Sequence, residues 1–412
     1  MARRLYTALL RLALPLILLR LWRRARREPG YREDVAERFG RYLHRLDAPV
    51  FWVHAVSVGE VRAAAPLVRA LQAGWPGEQV LITCTTAAGR ETIRQVYGES
   101  VVCAYLPYDY PEAVQRFIEH FRPRLGVLME TEIWPNLLAA CEANDVPVIL
   151  ANARMSAHSA RGYSRWSALT RPAFRSLRKT LAQGEADARR LRELGAGGVE
   201  VAGNLKFDAE PDPTQVDAGR VWRAKLGRPV LLFASTREGE EKRLLGALPA
   251  WDGELLVVIV PRHPQRFDEV AALAQSRRTR SPEPARSDRV YLGDTMGEMA
   301  FYYAGCDVAV IGGSFEPLGG QNLIEALAAG AAVVMGPHMF NFAEAARLAV
   351  DAGAALQAPD AAAAVRAALD LMAAPARRNR MAAAGKALCE QHRGATARHV
   401  AACLALLKER ER

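Results

Sequence analysis

Ile311–Gly330 reads IGGSFEPLGGQNLIEALAAG. The apolar run Val308 to Ile311 stops at Gly312 and Gly313, and a second pair, Gly319 and Gly320, comes just before the helical spacing of Leu323 and Leu327. The order is strand, glycine loop, helix, a unit of open α/β sheets. Glycines let backbone amides approach a phosphate closely, and the free N–H groups of a helix start attract an anion. Glu325 falls in the first helical turn, where its carboxylate could accept hydrogen bonds from a ribose diol. The same spacing also fits a plain tight turn in which Glu325 only complements the helix dipole.

On either side of this stretch, short apolar runs alternate with helical patterns. Before it come Phe51–Ala55, Val80–Cys84, Val101–Leu106, Leu125–Met129, Val146–Ala151 and Val199–Ala202, then a break at Glu210-Pro211-Asp212-Pro213. The alternation restarts with Val230–Ala234, Leu255–Val260, Arg289–Leu292, Val308–Ile311 and Ala332–Met335. Such a pattern predicts parallel sheets with helices on both faces. Arg277 to Arg289, rich in Ser, Pro and Arg, reads as a surface loop, and Asp360 to Arg412 as an Ala-rich helical tail. A chain of 412 residues exceeds the size at which one core stops growing, so two domains are expected, divided by the prolines near residue 210. Two doubly wound domains would leave a cleft at the C-terminal ends of their strands, where such sheets bind ligands.

The formal charge of +10 points to nucleic acid only until it is located. Residues 1–32 hold nine arginines and one acid, Glu28, which is +8, leaving +2 for the other 380 residues. A general nucleic-acid surface is therefore not expected. Leu5 to Trp22 is mostly apolar but interrupted by Arg11 and Arg20, and Arg4, Thr7 and Arg11 share a helical face. This suits an anchor lying in the membrane interface or a short span with snorkelling arginines. No small-residue cleavage site follows, which argues against a removed signal peptide. The arginine cluster after the apolar run places the body of the protein in the cytoplasm by the positive-inside rule. A packed first helix with a solvated basic end is the alternative.

Six scattered cysteines lack any C-x-x-C spacing and read as buried small hydrophobes of a reducing compartment. The eight histidines show no ligand pattern and there is no D-x-D, so a tightly held metal is not expected; no cofactor is expected either.

Two open α/β domains with such a glycine loop suggest the GT-B architecture of glycosyltransferases. The motifs WVHAVSVGEV (Trp52–Val61), LPYD (Leu106–Asp109), METEIWPN (Met129–Asn136), ANARMS (Ala151–Ser156), NLKFD (Asn204–Asp208), PRHPQRF (Pro261–Phe267), GDTMGEM (Gly293–Met299) and MGPHMFNF (Met335–Phe342) occur in this order. Together they closely resemble the bacterial 3-deoxy-D-manno-octulosonic acid (Kdo) transferases of lipopolysaccharide assembly, over essentially the whole chain. The resemblance implies a metal-independent inverting enzyme at the cytoplasmic face of the inner membrane. Its partners would be the donor CMP-Kdo, the tetraacyl disaccharide precursor of lipid A, and inner-membrane lipids through the N-terminus. The expected parts are an anchor at 1–32, an acceptor-binding domain at 33–210 and a CMP-sugar-binding domain at 211–412.

Ser57-Val58-Gly59-Glu60 has the form of a capping box, with Glu60 able to bond back to the Ser57 amide. The resemblance makes Glu60 the general base, kept ionised by the helix N-terminus. Glu130 and Glu132, two apart at a strand end, share a face and could be solvated loop acids. The family pattern makes Glu130 a transition-state stabiliser, with Glu132 second. Lys206 reads either as a surface lysine paired with Asp208 or, by the family match, as a second stabiliser. Arg154 is a weaker candidate for the anionic donor.

For the nucleotide, Arg262 after Pro261 ends a strand, Met296-Gly297-Glu298 is expected to open the next helix with its amides free, and Asn322-Leu323-Ile324-Glu325 completes the site. The family's CMP contacts match these three segments, with Ser314 and Gln321 as additions, while His263 and His338 read as structural. Glu316 and Glu325 have eight residues between them rather than the seven of many retaining GT-B enzymes, which argues against that class. A GT-B enzyme acting on a UDP-sugar, such as an epimerase, and a noncatalytic sugar-nucleotide-binding module stay open as alternatives.

Overall fold

A computed structural model of the chain describes residues 1–43, 46, 48–249 and 254–410. The chain divides into two units, Met1–Asp208 with Arg393–Arg412, and Ala209–His392.

In unit 1 the apolar runs form β1 (Val50–His54), β2 (Gln79–Cys84), β3 (Val102–Tyr105), β4 (Leu125–Met129), β5 (Val148–Ala153), β6 (Lys179–Ala182) and β7 (Val199–Val201). They pair in the order β3-β2-β1-β4-β5-β6-β7, and every pairing is parallel. β1, β4 and β5 are buried along their whole length, as strands covered by helices on both faces must be. β6 is absent from the sequence reading because its four residues, KTLA, contain no apolar run.

The expected C-terminal domain at 211–412 is corrected at its end. The last helix, Ala395–Arg410, belongs to unit 1, where Cys403, Leu406 and Leu407 bury themselves with Val61, Leu67 and Leu71 of the helix Val58–Gly74. Its His399 is fully buried. Its Nε2 accepts the Asn152 N–H at 2.9 Å, and its Nδ1 lies 2.7 Å from the Ala395 carbonyl. Burial lowers the pKa of this ring to about 4, which keeps it neutral and able to accept that bond. Residues 411–412 of the expected tail lie outside the described residues.

The N-terminal helix runs Ala2–Arg27 and is, among the described residues, the one helix long and apolar enough to cross a membrane by length and composition. Leu5, Leu9, Leu12, Leu16 and Trp22 are exposed. The polar face expected to meet the membrane interface instead meets the protein at two positions. Thr7 exchanges hydrogen bonds with Asn136, and Arg11 pairs with Glu112. The Tyr110 hydroxyl also donates to the Leu10 carbonyl at 2.9 Å.

Unit 2 repeats the plan with β8 (Val230–Thr236), β9 (Leu256–Pro261), β10 (Ser276–Arg277), β11 (Val290–Leu292), β12 (Val308–Ile311), β13 (Ala332–Met335) and β14 (Ala355–Gln357). The order is β10-β11-β9-β8-β12-β13-β14, again parallel throughout. Pro213 does not merely break the chain. It opens the helix Pro213–Leu226, whose start is capped by the Asp212 carboxylate accepting the Thr214 N–H at 2.9 Å. The loop expected at 277–289 begins one residue inside β10 and is pinned by the Arg228 guanidinium, which donates to the carbonyls of Ala285, Arg286 and Asp288 at 2.8–3.0 Å. All six cysteines are free thiols.

Candidate active site

Parallel strands bring their C-terminal ends, and the loops that leave them, to one edge of the sheet. In unit 1 the helix that follows β1 carries Glu60 in its first turn, the loop after β4 carries Glu130 and Glu132, and the short turn Leu205–Asp208 carries Lys206.

Glu60 does cap its own helix, though not with the expected partner. Ser57 Oγ accepts the Glu60 N–H at 3.4 Å and donates to Glu60 Oε1 at 2.8 Å, while Oε2 accepts the N–H of Val56, not of Ser57, at 2.8 Å. The expectation that the helix N-terminus keeps Glu60 fully ionised at neutral pH is corrected. Burial, then the neighbouring charge of Glu130, outweigh the bonds from Ser57 and Val56 and push its pKa up to about 7. A carboxylic acid with that pKa exchanges a proton with little driving force at physiological pH.

Glu130 has φ +57°, a left-handed conformation that a non-glycine residue holds only when its surroundings fix it. Those surroundings are visible. Lys206 Nζ donates to Oε1 at 3.0 Å, Arg154 Nη2 lies 3.7 Å from Oε2, and the Glu130 N–H reaches the Ala151 carbonyl at 2.9 Å. Burial pushes the Glu130 pKa up, but the Lys206 and Arg154 charges win and hold it below its ordinary value. The Asp208 carboxylate, the other partner considered for Lys206, accepts the N–H groups of Gly394 and Thr396.

Glu132 stands beside this pair with its pKa raised, first by burial and then by Glu130, against the bond from Trp134 Nε1 at 2.8 Å. His54, at the end of β1, is fully buried and lowered to about 4 by that burial. Neither His54 nor Trp134 was singled out in the sequence. The one signal was their membership in the motifs of Glu60 and Glu130.

In unit 2 the glycine loop is built as expected but is not filled as expected. A Cβ on Gly312 would lie 2.6 Å from the Ser235 carbonyl, so only glycine lets β12 leave the sheet this close to β8. Gly313 has φ +65° and its carbonyl accepts the Gly320 N–H at 2.8 Å, closing the loop on itself. The amides expected to face a phosphate bind a protein carboxylate. Buried Glu240 accepts the N–H groups of Gly313 at 2.7 Å, Arg237 at 2.9 Å and Phe315 at 3.5 Å. Sequence reasoning missed Glu240, whose one signal is an acid shortly after β8 in Thr236-Arg237-Glu238-Gly239-Glu240.

Pro261 closes β9, and the Arg262 N–H bonds the Thr236 carbonyl at 3.0 Å, which sets Arg262 at the strand's C-terminal end. The next helix begins at Met299, so Met296 and Gly297 lie in the preceding loop rather than opening a helix. The Gly297 carbonyl accepts from Gln215 Nε2 at 3.0 Å. The Glu298 carboxylate is held by Arg278 Nη2 at 3.1 Å and by Thr295. Asn322 caps the helix Leu323–Ala329, accepting the Ile324 N–H at 3.2 Å, and Glu325 lies in its first turn. The side chains of Leu323 and Ile324 are buried, so only their backbone is available to a ligand. Ser314 is removed from the candidates, since its buried hydroxyl donates to the Ile311 carbonyl at 2.6 Å and accepts the Gly336 N–H at 2.8 Å. Gln321 is partly exposed at the loop's end, and His338 is tied by its N–H to the Ser314 carbonyl at 2.9 Å. His263 begins the turn before Phe267, its pKa lowered by burial and then by Arg237. Among the described residues no group of three or more His, Cys, Asp and Glu is placed to hold a metal.

The Glu130 pairing gives a stability test. Lys206→Met leaves a buried carboxylate with Arg154, at 3.7 Å, as the cation that remains beside it among the described residues, and is expected to cost about 3 kcal/mol, the lower end for removing one partner of a buried pair. Adding Glu130→Gln should recover part of that loss, read as urea midpoints. A midpoint unmoved by Lys206→Met would show that the pair is solvated and holds nothing in place.

Residues 33–209 match the family model described as 3-deoxy-D-manno-octulosonic-acid transferase (kdotransferase), and residues 286–388 match that of glycosyl transferases group 1. A 3-deoxy-D-manno-octulosonic acid transferase of Bordetella pertussis is 49% identical, covering 97% of this chain and 98% of its own. One from Haemophilus influenzae is 36% identical over 95% of this chain and 96% of its own. Among solved structures, Anabaena HepE in complex with UDP covers 87% of this chain and 99% of its own with a TM-score of 0.61. At 13% identity that likeness shows the fold alone. Two parallel α/β units of GT-B type, with the Kdo transferase model on the first and near-complete coverage by curated relatives, lead to one conclusion: this chain belongs to the 3-deoxy-D-manno-octulosonic acid transferase family of glycosyltransferases.

Proposed function

We propose that this transferase moves Kdo from CMP-Kdo onto the tetraacyl disaccharide precursor of lipid A (lipid IVA), with inversion at the anomeric carbon and without a metal. The observation that carries the reading is Glu60, a partly buried carboxyl held near pKa 7 beside a charge-paired Glu130 in a chain of this family. A base of that pKa is ionised in useful fraction at neutral pH and retains enough basicity to take a proton from a hydroxyl as it attacks. Glu60 removes the proton of the acceptor hydroxyl while that oxygen bonds to the anomeric carbon, and cytidylate leaves from the opposite face. Lys206 and Glu130 act as a fixed pair of charges that stabilises the transition state without reorganising.

In unit 2, Arg262 pairs with the CMP phosphate as a charged donor. Glu325 takes the ribose diol, and the backbone from Asn322 to Ile324 and from Met296 to Glu298 completes the nucleotide contacts. No step requires a cofactor. The N-terminal helix, with exposed leucines on a chain segment of charge +8, holds the enzyme to anionic lipid at the cytoplasmic face of the bacterial inner membrane.

The reaction is tested by incubating the purified protein with CMP-Kdo and lipid IVA in excess EDTA and weighing the lipid products by mass spectrometry. Added Kdo is expected, and Glu60→Gln should fold, bind CMP and lose at least ~10²-fold in turnover, the low end for general-base catalysis. No product, product only with a divalent ion, or near-normal turnover in Glu60→Gln would each overturn a stated part. Attachment is tested separately. Protein starting at Glu33 is expected to stay folded and to stop sedimenting with anionic vesicles, and unchanged sedimentation would remove the anchor from the account.

A further inference from the structure

Among the described residues, His54 lies at the Glu60 and Glu130 edge with its ring sealed on one side and unpartnered on the other. Its Nδ1 lies 2.9 Å from Thr83 Oγ1 and 3.1 Å from the Thr83 carbonyl, while the fully buried Nε2 has no hydrogen-bond partner among the described residues. Nε2 points towards Glu132 Oε2, 4.0 Å away.

The neighbours decide which nitrogen carries the proton. Trp52 Nε1, which can only donate, gives its hydrogen bond to Thr83 Oγ1 at 2.8 Å, so the Thr83 hydroxyl must place its own proton elsewhere. Among the described residues, the acceptor within reach of the Thr83 hydroxyl is His54 Nδ1 at 2.9 Å. A neutral ring has one proton, and it therefore sits on Nε2, facing the Glu132 carboxylate. The opposite tautomer would leave the buried Thr83 hydroxyl proton with no acceptor among the described residues.

Oε2 of Glu132 thus has two donors aimed at it, Trp134 Nε1 in contact and His54 Nε2–H just beyond. No other side-chain hydrogen bond to Glu132 forms among the described residues, and its side chain is 25% exposed. We propose that Trp134 and His54 fix Glu132 so that its free oxygen, Oε1, accepts a hydroxyl of a bound sugar beside Glu60, with His54 a positioning residue rather than a catalytic one. A carboxylate with one oxygen tied to the protein offers the other in a single orientation, which is what selecting one hydroxyl among several requires. The inference rests on the reading of this cluster as the transfer site.

The tautomer is measured in the unmodified full-length protein by long-range proton–nitrogen NMR of labelled histidine, with His54→Gln assigning the signal. An Nε2–H pattern is expected, and Nδ1–H would overturn the proposal. Kinetics then locate the hydroxyl. Glu132→Gln and His54→Phe are each expected to raise KM about tenfold for one substrate, from the loss of one charge-assisted bond or its orientation, with kcat changed much less. His54→Gln, which returns a donor near the Nε2 position, should restore most of the KM. A KM rise for the lipid acceptor assigns the acceptor sugar, and one for CMP-Kdo assigns the donor sugar. Unchanged KM for both in Glu132→Gln, or no recovery in His54→Gln, would overturn the proposal. Full activity in Glu60→Gln would instead remove the transfer-site reading beneath it.

Discussion

The pairing of Lys206 with Glu130 is the interaction on which the arrangement in unit 1 depends. Glu130 occupies a left-handed backbone position at the end of β4, and a carboxylate there, with 13% of its side chain exposed, would protonate without a compensating cation. Lys206 supplies that cation from the turn Leu205–Asp208, which is itself fixed by Asn152 Oδ1 accepting the Leu205 N–H at 3.0 Å. Asn152 in turn gives its own N–H to His399 of the last helix. The final segment of the chain thereby helps hold the lysine that keeps Glu130 charged. That charge is one of the two main reasons why the pKa of Glu60 lies near 7 rather than near its ordinary value, the first being burial.

Unit 2 uses a carboxylate of its own in the way a phosphate would be used. Glu240 collects the amides of Gly313, Arg237 and Phe315, so the glycine loop is organised by the protein before any ligand arrives. Amides already bound inside the fold cost nothing to reorganise, and the loop's tight closure from Gly313 to Gly320 places the following helix start. The nucleotide contacts proposed here accordingly lie at the margin of the loop, at Arg262, Asn322 and Glu325, rather than on the glycines.

The architecture was readable because its cause is local. Buried parallel strands are continuous apolar runs, and all five read in unit 2 and six in unit 1 became strands with small shifts at their ends. Lys179–Ala182 escaped because a strand of four residues beginning with lysine carries no periodic signal. The end of the tail, from Arg393, was assigned to the wrong unit since helical spacing tells which face is apolar, not which core it meets. At the site, spacing brought Glu60, Glu130 and Lys206 to strand ends but could not pair them. Lys206 lies two residues from Asp208 and 76 from Glu130, yet the latter is its partner. Nor could it foresee the pKa of Glu60, which depends on burial and on a carboxylate from another strand.

The central claim is that a carboxyl poised near neutrality serves as the base, and the dependence of transfer on pH tests it most directly. Single-turnover transfer of Kdo to the lipid acceptor, measured between pH 5 and 9 with both substrates saturating, should fall with unit slope as pH drops through about 7, because protonated Glu60 cannot accept the hydroxyl proton. A rate that stays flat from pH 5 to 8 would contradict the account and return Glu60 to the role of a helix cap.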